Sequence, residues 1–140
     1  MNGELDEAVS LYKQSIDAHP TAEAYTFLGW TYSFMGRIDD AIAECHKAIE
    51  VDPTFGNPYN DIGAYLLQKG EVDAAIPWLE RALKATRYES YCFPHMNLGR
   101  AYEARREWLR AKEAYRKALA ENPQYKLAAQ GLHRIQGYLN

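Results

Sequence analysis

Apolar residues along this chain recur at helical spacings, in pairs of segments separated by turn-forming residues. In the first complete pair, Tyr25, Leu28 and Tyr32 lie at i, i+3 and i+7, which places them on one face of a helix. Ala41 and Cys45 begin a second apolar stripe at i and i+4. The pattern therefore predicts two amphipathic helices joined by a tight reversal of the chain.

This two-helix pattern repeats along the chain. Gly29, Gly63 and Gly99 each follow an aliphatic residue and lie 34 and 36 residues apart, and the alanines that begin the second stripes keep the same intervals. Repetition with a period near 34 predicts helical hairpins that stack side by side. We expect the small residues to allow close approach of the two helices within a hairpin. The fold class that this pattern indicates is all-α.

The repeat resembles the tetratricopeptide repeat family. The motif of that family, W-x2-L-G-x2-Y followed by A-x3-F and P, corresponds here to Tyr25-x2-Leu28-Gly29-x2-Tyr32, Ala41-x3-Cys45 and Pro53. The likeness recurs in three units and covers essentially the whole chain. It implies a right-handed α-solenoid of antiparallel helix pairs that ends in a C-terminal capping helix.

We expect a single domain over residues 1–140, divided into a partial repeat, three full repeats and a cap. The corresponding ranges are 1–21 for the second helix of an incomplete pair, 22–55, 56–91 and 92–125 for the full repeats, and 126–140 for the capping helix. Three residues depart from the motif: His95 at the first aromatic position, Arg106 at the turn glycine and Arg87 at the terminal proline. Because Arg87 accompanies a two-residue insertion, we expect a longer loop between the second and third full repeats.

The N-terminal segment predicts a helix with one unpartnered side. Leu5, Val9, Tyr12 and Ile16 form an apolar stripe, and the helix that would precede them in a full pair is absent. The stripe is either frayed or partly covered by Met1, or it packs on a second copy of the chain or on upstream sequence. The second alternative makes homo-oligomerisation through this edge a hypothesis.

Composition and charge exclude several classes of partner. The net charge is −3, and the basic residues between positions 105 and 117 alternate with glutamates, so the chain offers no cationic patch for nucleic acid. No apolar run approaches the roughly 20 residues of a membrane span, and the N-terminus has no secretory signal. Two free thiols at Cys45 and Cys92, in a reducing compartment, are favoured over a disulfide. We therefore expect a cytoplasmic protein that binds neither nucleic acid nor membrane.

The chain has no arrangement of residues typical of catalysis. Its four histidines are scattered, and Cys92 and His95, one helical turn apart, are too few to hold a structural metal ion. No glycine-rich loop has the spacing that binds phosphate, and no Ser or Thr is accompanied by residues that could act as the general base for a nucleophile. We therefore expect no cofactor, no metal and no enzymatic activity.

The family resemblance implies that the first helix of each pair lines a concave groove, where extended peptides bind. In that register the candidate peptide-binding residues are Phe27, Trp30, Phe34, Asn60, Asp61, Asn97, Arg100 and Arg134. The aromatic residues would hold apolar side chains, the Asn and Asp residues would bind peptide backbone, and the two arginines would bind acidic groups. Two alternatives stay open, in which Trp30 packs under a neighbouring helix and Arg100 pairs with Glu103 at i, i+3.

These features favour a non-catalytic protein–protein interaction module that binds a peptide or a partner protein. The alternative is a self-associating structural spacer that uses its open N-terminal edge. Some members of the resembled family clamp the C-terminal carboxylate of chaperone tails, but Thr26 and Phe93 stand where that clamp needs lysine, and Asn97 stands where it needs arginine. We therefore expect no chaperone-tail clamp in this chain.

Overall fold

The structure confirms the all-α class. A computed structural model describes residues 2–140, and within that range the chain forms helices and turns without a β-strand. The helices are α1 (Asn2–Ala18), α2 (Ala22–Phe34), α3 (Ile38–Val51), α4 (Asn57–Gln68), α5 (Val72–Lys84), α6 (Cys92–Ala104), α7 (Trp108–Glu121) and α8 (Lys126–Leu139). Short turns join α2 to α3, α4 to α5 and α6 to α7, and each of these pairs packs together as a hairpin. None of the described helices has the length and apolar character needed to cross a membrane.

Within each hairpin the chain reverses through one residue in the left-handed region. Gly36 has a φ of 78° and Gly70 a φ of 82°, which glycine adopts without steric cost. Arg106 takes the same place in the third hairpin with a φ of 61°. The left-handed conformation costs a residue with a Cβ about 1–2 kcal/mol. The turn geometry is therefore kept in the third hairpin although its glycine is replaced.

Glycine near the middle of each first helix brings the two helices of a hairpin into contact. A Cβ atom on Gly29 would lie 2.9 Å from the carbonyl oxygen of Ala41, and one on Gly99 would lie 2.6 Å from the ring of Tyr115. Contacts this short leave no room for a methyl group. They confirm the prediction that small residues permit close approach of the paired helices.

The stack of hairpins is curved, and its inner side is formed by the first helix of each pair. Helix α2 contacts α4, α4 contacts α6, and α6 contacts α8, whereas α3, α5 and α7 make no such contacts with one another. Helices that touch every second neighbour lie on the shorter, concave side of a bent array. The concave surface therefore belongs to α2, α4, α6 and α8, as the family resemblance implied.

Helix α1 covers most of its apolar stripe by packing on α2. Val9, Tyr12 and Ile16 are partly buried against the core of the first hairpin, so the stripe is not bare as the sequence alone indicated. On the remaining side, Leu11 is 56% exposed. The suggested cover by Met1 lies outside the described residues.

Helix α8 is the last helix of the described stack. It buries Ala128 and Ile135 against α7, and its Gly131 lies against the ring of Tyr115. Tyr138 extends the same side of the helix and stacks on Trp108 of α7 with ring centroids 4.4 Å apart, although its outer side is exposed, and Leu127 is exposed on the neighbouring face.

Candidate functional site

A pocket opens on the concave surface where α2, α4 and α6 meet the loop of residues 85–91. Its volume is about 470 Å³. Its lining residues, which we call the aromatic pocket, are Thr26, Phe27, Trp30, Asn57, Asn60, Asp61, Tyr88, Ser90 and Phe93. Four of the eight residues predicted from the sequence therefore converge on one cavity.

Aromatic side chains at the N-terminal end of the concave surface stand open to solvent. Trp30 is 53% exposed and Phe34 is 62% exposed, and their rings meet edge to face with centroids 4.8 Å apart. Phe27 stacks on Tyr12 of α1 at 5.8 Å. The alternative in which Trp30 packs under a neighbouring helix is therefore wrong. Exposed apolar area of this kind is available for burial by a partner.

Asp61 is a half-buried carboxylate in the wall of the aromatic pocket. Burial raises its pKa to about 7, and a hydrogen bond from Asn60 only partly opposes that shift. No Lys or Arg among residues 2–140 forms an ion pair with this carboxylate. The pocket therefore contains an acidic group that has no cationic partner within the described part of the chain.

Asn60 and Asn97 are buried and bonded to each other across two repeats. The side-chain amide nitrogen of Asn97 donates to the side-chain oxygen of Asn60 at 3.0 Å. The sequence placed both as binding groups for a peptide backbone, but packing of α4 on α6 turns the pair inward. Asn97 in particular is not among the residues that line the aromatic pocket. Their observed role is to tie two helices together.

The two arginines at the C-terminal end of the concave surface differ in their partners. Arg134 of α8 donates from Nε and Nη2 to the carboxylate of Glu103, both at 2.9 Å, and this ion pair lowers the pKa of Glu103. The hydroxyl of Tyr115 donates to the same carboxylate at 2.7 Å. Arg134 is therefore engaged inside the chain, contrary to the expectation that it meets acidic groups of a ligand.

Arg100 stays apart from that ion pair. The alternative in which it pairs with Glu103 is wrong, because Arg134 takes that carboxylate. Arg100 is exposed, has no ion-pair partner among the described residues, and borders a second depression of about 320 Å³ with Gln130 and Leu127. Of the two predicted arginines, Arg100 is the one whose charge faces the groove unpaired.

The loop of residues 85–91 completes the aromatic pocket, and sequence reasoning gave it no role in the site. Arg87 donates to Asp52 at 2.9 Å and to Glu23 at 3.1 Å, and its backbone NH donates to the carbonyl of Thr54 at 2.9 Å. These contacts hold the loop against the previous hairpin and place the buried Tyr88 in the pocket wall. The two-residue insertion was the only signal in the sequence for this wall.

The described residues form no cluster of the kind that holds a metal ion. No group of three or more His, Cys, Asp or Glu side chains in residues 2–140 is placed to hold a metal ion. Cys45 and Cys92 are both buried and free, which confirms the expectation of unpaired thiols.

Comparison with known proteins identifies the repeat. Family models described as "Tetratricopeptide repeat" match residues 22–55, 57–88 and 92–125. The chain is 33% identical over 81 residues to the Protein SGT1 homolog of Oryza sativa subsp. japonica, which covers 57% of this chain and 22% of that protein. The chain thus spans between 11% and 22% of the length of the curated relatives it matches.

Solved structures agree in fold. The crystal structure of MamA superposes with a TM-score of 0.80 at 30% identity and covers 96% of this chain and 78% of the MamA chain. The first TPR of Spaghetti (RPAP3), bound to the HSP90 peptide SRMEEVD, superposes with a TM-score of 0.78 and covers 84% of this chain and 92% of that one. At 23% identity, the second likeness shows the fold alone.

Proposed function

The chain belongs to the tetratricopeptide repeat family, and we propose that it is a non-catalytic interaction module that binds an extended peptide or partner protein along its concave surface. The observation that carries the proposal is the aromatic pocket, where exposed rings and a polar wall meet on the inner side of the stack. A similar fold holds a peptide in the RPAP3 structure, which supports the same use of this scaffold.

Binding would draw its free energy from the exposed rings at the N-terminal end of the groove. Trp30 and Phe34 lie one helical turn apart on α2, and their edge-to-face contact holds both rings in place before a partner arrives. Burial of apolar surface contributes about 25 cal/mol per Å², and a rigid site loses little entropy on binding. Aromatic residues in such sites dominate the energetics of interfaces.

The groove does not suit an acidic tail of the kind bound by the RPAP3 domain. Thr26 is buried and its hydroxyl donates its one proton to the carbonyl of Ala22 at 2.7 Å, so it cannot donate to a ligand carboxylate. Phe93 offers no charge, and Asn97 is engaged with Asn60. A carboxylate-rich peptide would also approach Asp61. We therefore keep the expectation that this chain has no chaperone-tail clamp.

Truncation of Trp30 tests the proposed groove. A peptide selected on the parent chain from a random display library should lose at least about tenfold in affinity for Trp30→Ala, because truncation of an interface anchor costs about 2 kcal/mol or more. The matched control is Leu109→Ala, which removes a 72% exposed side chain from α7, outside the concave surface. Calorimetric titration gives the affinities, and circular dichroism checks that both variants stay helical.

The comparison of these two variants is decisive. Equal affinity of Trp30→Ala and the parent chain would overturn the placement of the binding surface. A loss in Leu109→Ala that matches the loss in Trp30→Ala would move the binding surface to the convex side.

A further inference from the structure

We propose that the aromatic pocket selects a partner segment with a cationic side chain, lysine or arginine, whose charge lies against the carboxylate of Asp61 and whose methylene stem packs on Trp30 and Phe93. This inference rests on the proposed function, because it names the partner chemistry of the same surface. The added claim is that the partner segment is basic, and that the pocket binds an acidic or uncharged segment less tightly.

The composition of the pocket carries the inference. Aromatic rings on α2 and α6 stand around a carboxylate on α4, and all of them line the same cavity of about 470 Å³. The face of an aromatic ring carries negative potential and attracts a cation that lies over it. A carboxylate beside such faces adds a full negative charge and a hydrogen-bond acceptor. Both features favour the same ligand, a flexible apolar stem that ends in a positive charge.

Residues 2–140 do not supply that cation. Arg87, on the loop that walls the pocket, is already bonded to Glu23 and Asp52 and lies over the ring of Phe55. Asp61 has no ion pair within residues 2–140, and the neighbouring group that lowers its pKa is a neutral amide, that of Asn60. A half-buried carboxylate without a counter-ion is unfavourable, and attraction to a cation from a partner offsets part of that cost.

The ionisation of Asp61 makes the inference measurable. The titratable groups that face it are Cys45 of α3, Tyr65 of α4 and Tyr88 of the loop. Burial raises the pKa of each of these three groups, so all of them stay neutral near pH 7. Asp61 is thus the group in this set that changes charge near pH 7.

A cation binds the ionised carboxylate, and the ionised fraction falls as the pH drops through the pKa. With a pKa of about 7, that fraction is about tenfold smaller at pH 6 than at pH 8. The affinity for a lysine peptide should therefore weaken by about tenfold across this interval. Lysine itself stays charged at both values of pH.

The test uses display selection on the full chain, followed by calorimetry. Peptides selected on the parent chain should contain a lysine or arginine, and replacement of that residue by norleucine should weaken binding by about tenfold or more. In Asp61→Asn, which keeps the shape and removes the charge, the same replacement should change the affinity little. The control Asp73→Asn removes an equal charge from a side chain that is 88% exposed on α5, and it should behave as the parent chain does.

The outcomes separate the inference from the proposed function. Selected peptides that depend on Trp30 but show no preference for a basic residue would overturn the inference and leave the groove in place. Failure of the parent chain to select any peptide would overturn both. The pH titration of the parent chain needs no variant, so a Kd that stays constant from pH 8 to pH 6 would overturn the inference even if Asp61→Asn did not fold.

Discussion

At the scale of single residues, the absence of a side chain matters as much as its presence. Gly29 lies where α2 crosses α3, and the nearest atom to its missing Cβ is a backbone oxygen, that of Ala41. A backbone atom held within a helix cannot rotate away as the end of a flexible side chain does. The spacing of this hairpin is therefore set by one glycine.

Replacement of Gly29 by alanine should lower the free energy of unfolding by about 1–3 kcal/mol, the usual cost of forcing extra volume into a packed contact. The control is Gly137→Ala in α8, where nothing lies within 4 Å of the added methyl group. In that exposed helical position alanine should leave stability unchanged or raise it by up to about 1 kcal/mol. Urea unfolding of both variants gives the two values, and similar effects of the two substitutions would contradict the packing argument.

At the scale of elements, neighbouring repeats are held together by polar contacts as well as by apolar packing. The buried bond from Asn97 to Asn60 joins α6 to α4, and the ion pair between Arg134 and Glu103 joins α8 to α6. Each contact links first helices of successive units on the concave side. These groups therefore help to maintain the curvature of the surface. Their hydrogen bonds are made within the chain and not to a ligand.

The asparagine pair should behave as a structural contact. Asn97→Ala leaves the buried oxygen of Asn60 without its donor, and this should lower the free energy of unfolding by about 1–3 kcal/mol. The double substitution with Asn60→Ala should cost less than the sum of the two single ones, because the bond can be lost only once. A double-mutant cycle from urea unfolding measures this coupling, and strict additivity would contradict it. The affinity for a selected peptide should change far less in Asn97→Ala than in Trp30→Ala.

At the scale of the whole molecule, the chain is a curved stack with two dissimilar ends. Helix α8 packs its apolar side on α7, and α1 packs its own on α2. The pocket at the N-terminal half is aromatic and acidic, whereas Arg100 stands in the C-terminal half. The two halves of the concave surface therefore differ in charge and in apolar character. A peptide bound along it would be held in one orientation.

The covered stripe on α1 bears on self-association. Because Val9, Tyr12 and Ile16 already pack on the first hairpin, the exposed Leu11 offers little apolar area for a second copy. We expect light scattering to give the mass of one chain across a wide range of concentration. A mass that rises with concentration, and falls again in Leu11→Lys, would instead favour the structural spacer with an open N-terminal edge.

Several features of the site were predictable because they depend on short-range pattern. The repeat spacing placed Phe27, Trp30 and Asp61 on first helices, and the inner side of the stack is indeed formed by those helices. Other roles were not predictable in the same way. The partners of Asn97 and Arg134 are residues 37 and 31 positions away, and no pattern within one helix indicates which of several polar neighbours they will meet.

The sequence by itself determined the helices, their turns and their pairing, because helical periodicity, left-handed turn residues and small contact residues all act within one repeat. Only the tertiary structure decided which polar side chains remain for a partner. That choice depends on how adjacent repeats pack, and packing buried the asparagine pair, engaged Arg134 and set the loop with Tyr88 beside Asp61. A contact between repeats depends on the distance between side chains in the folded stack, and the spacing of residues along the chain does not determine that distance.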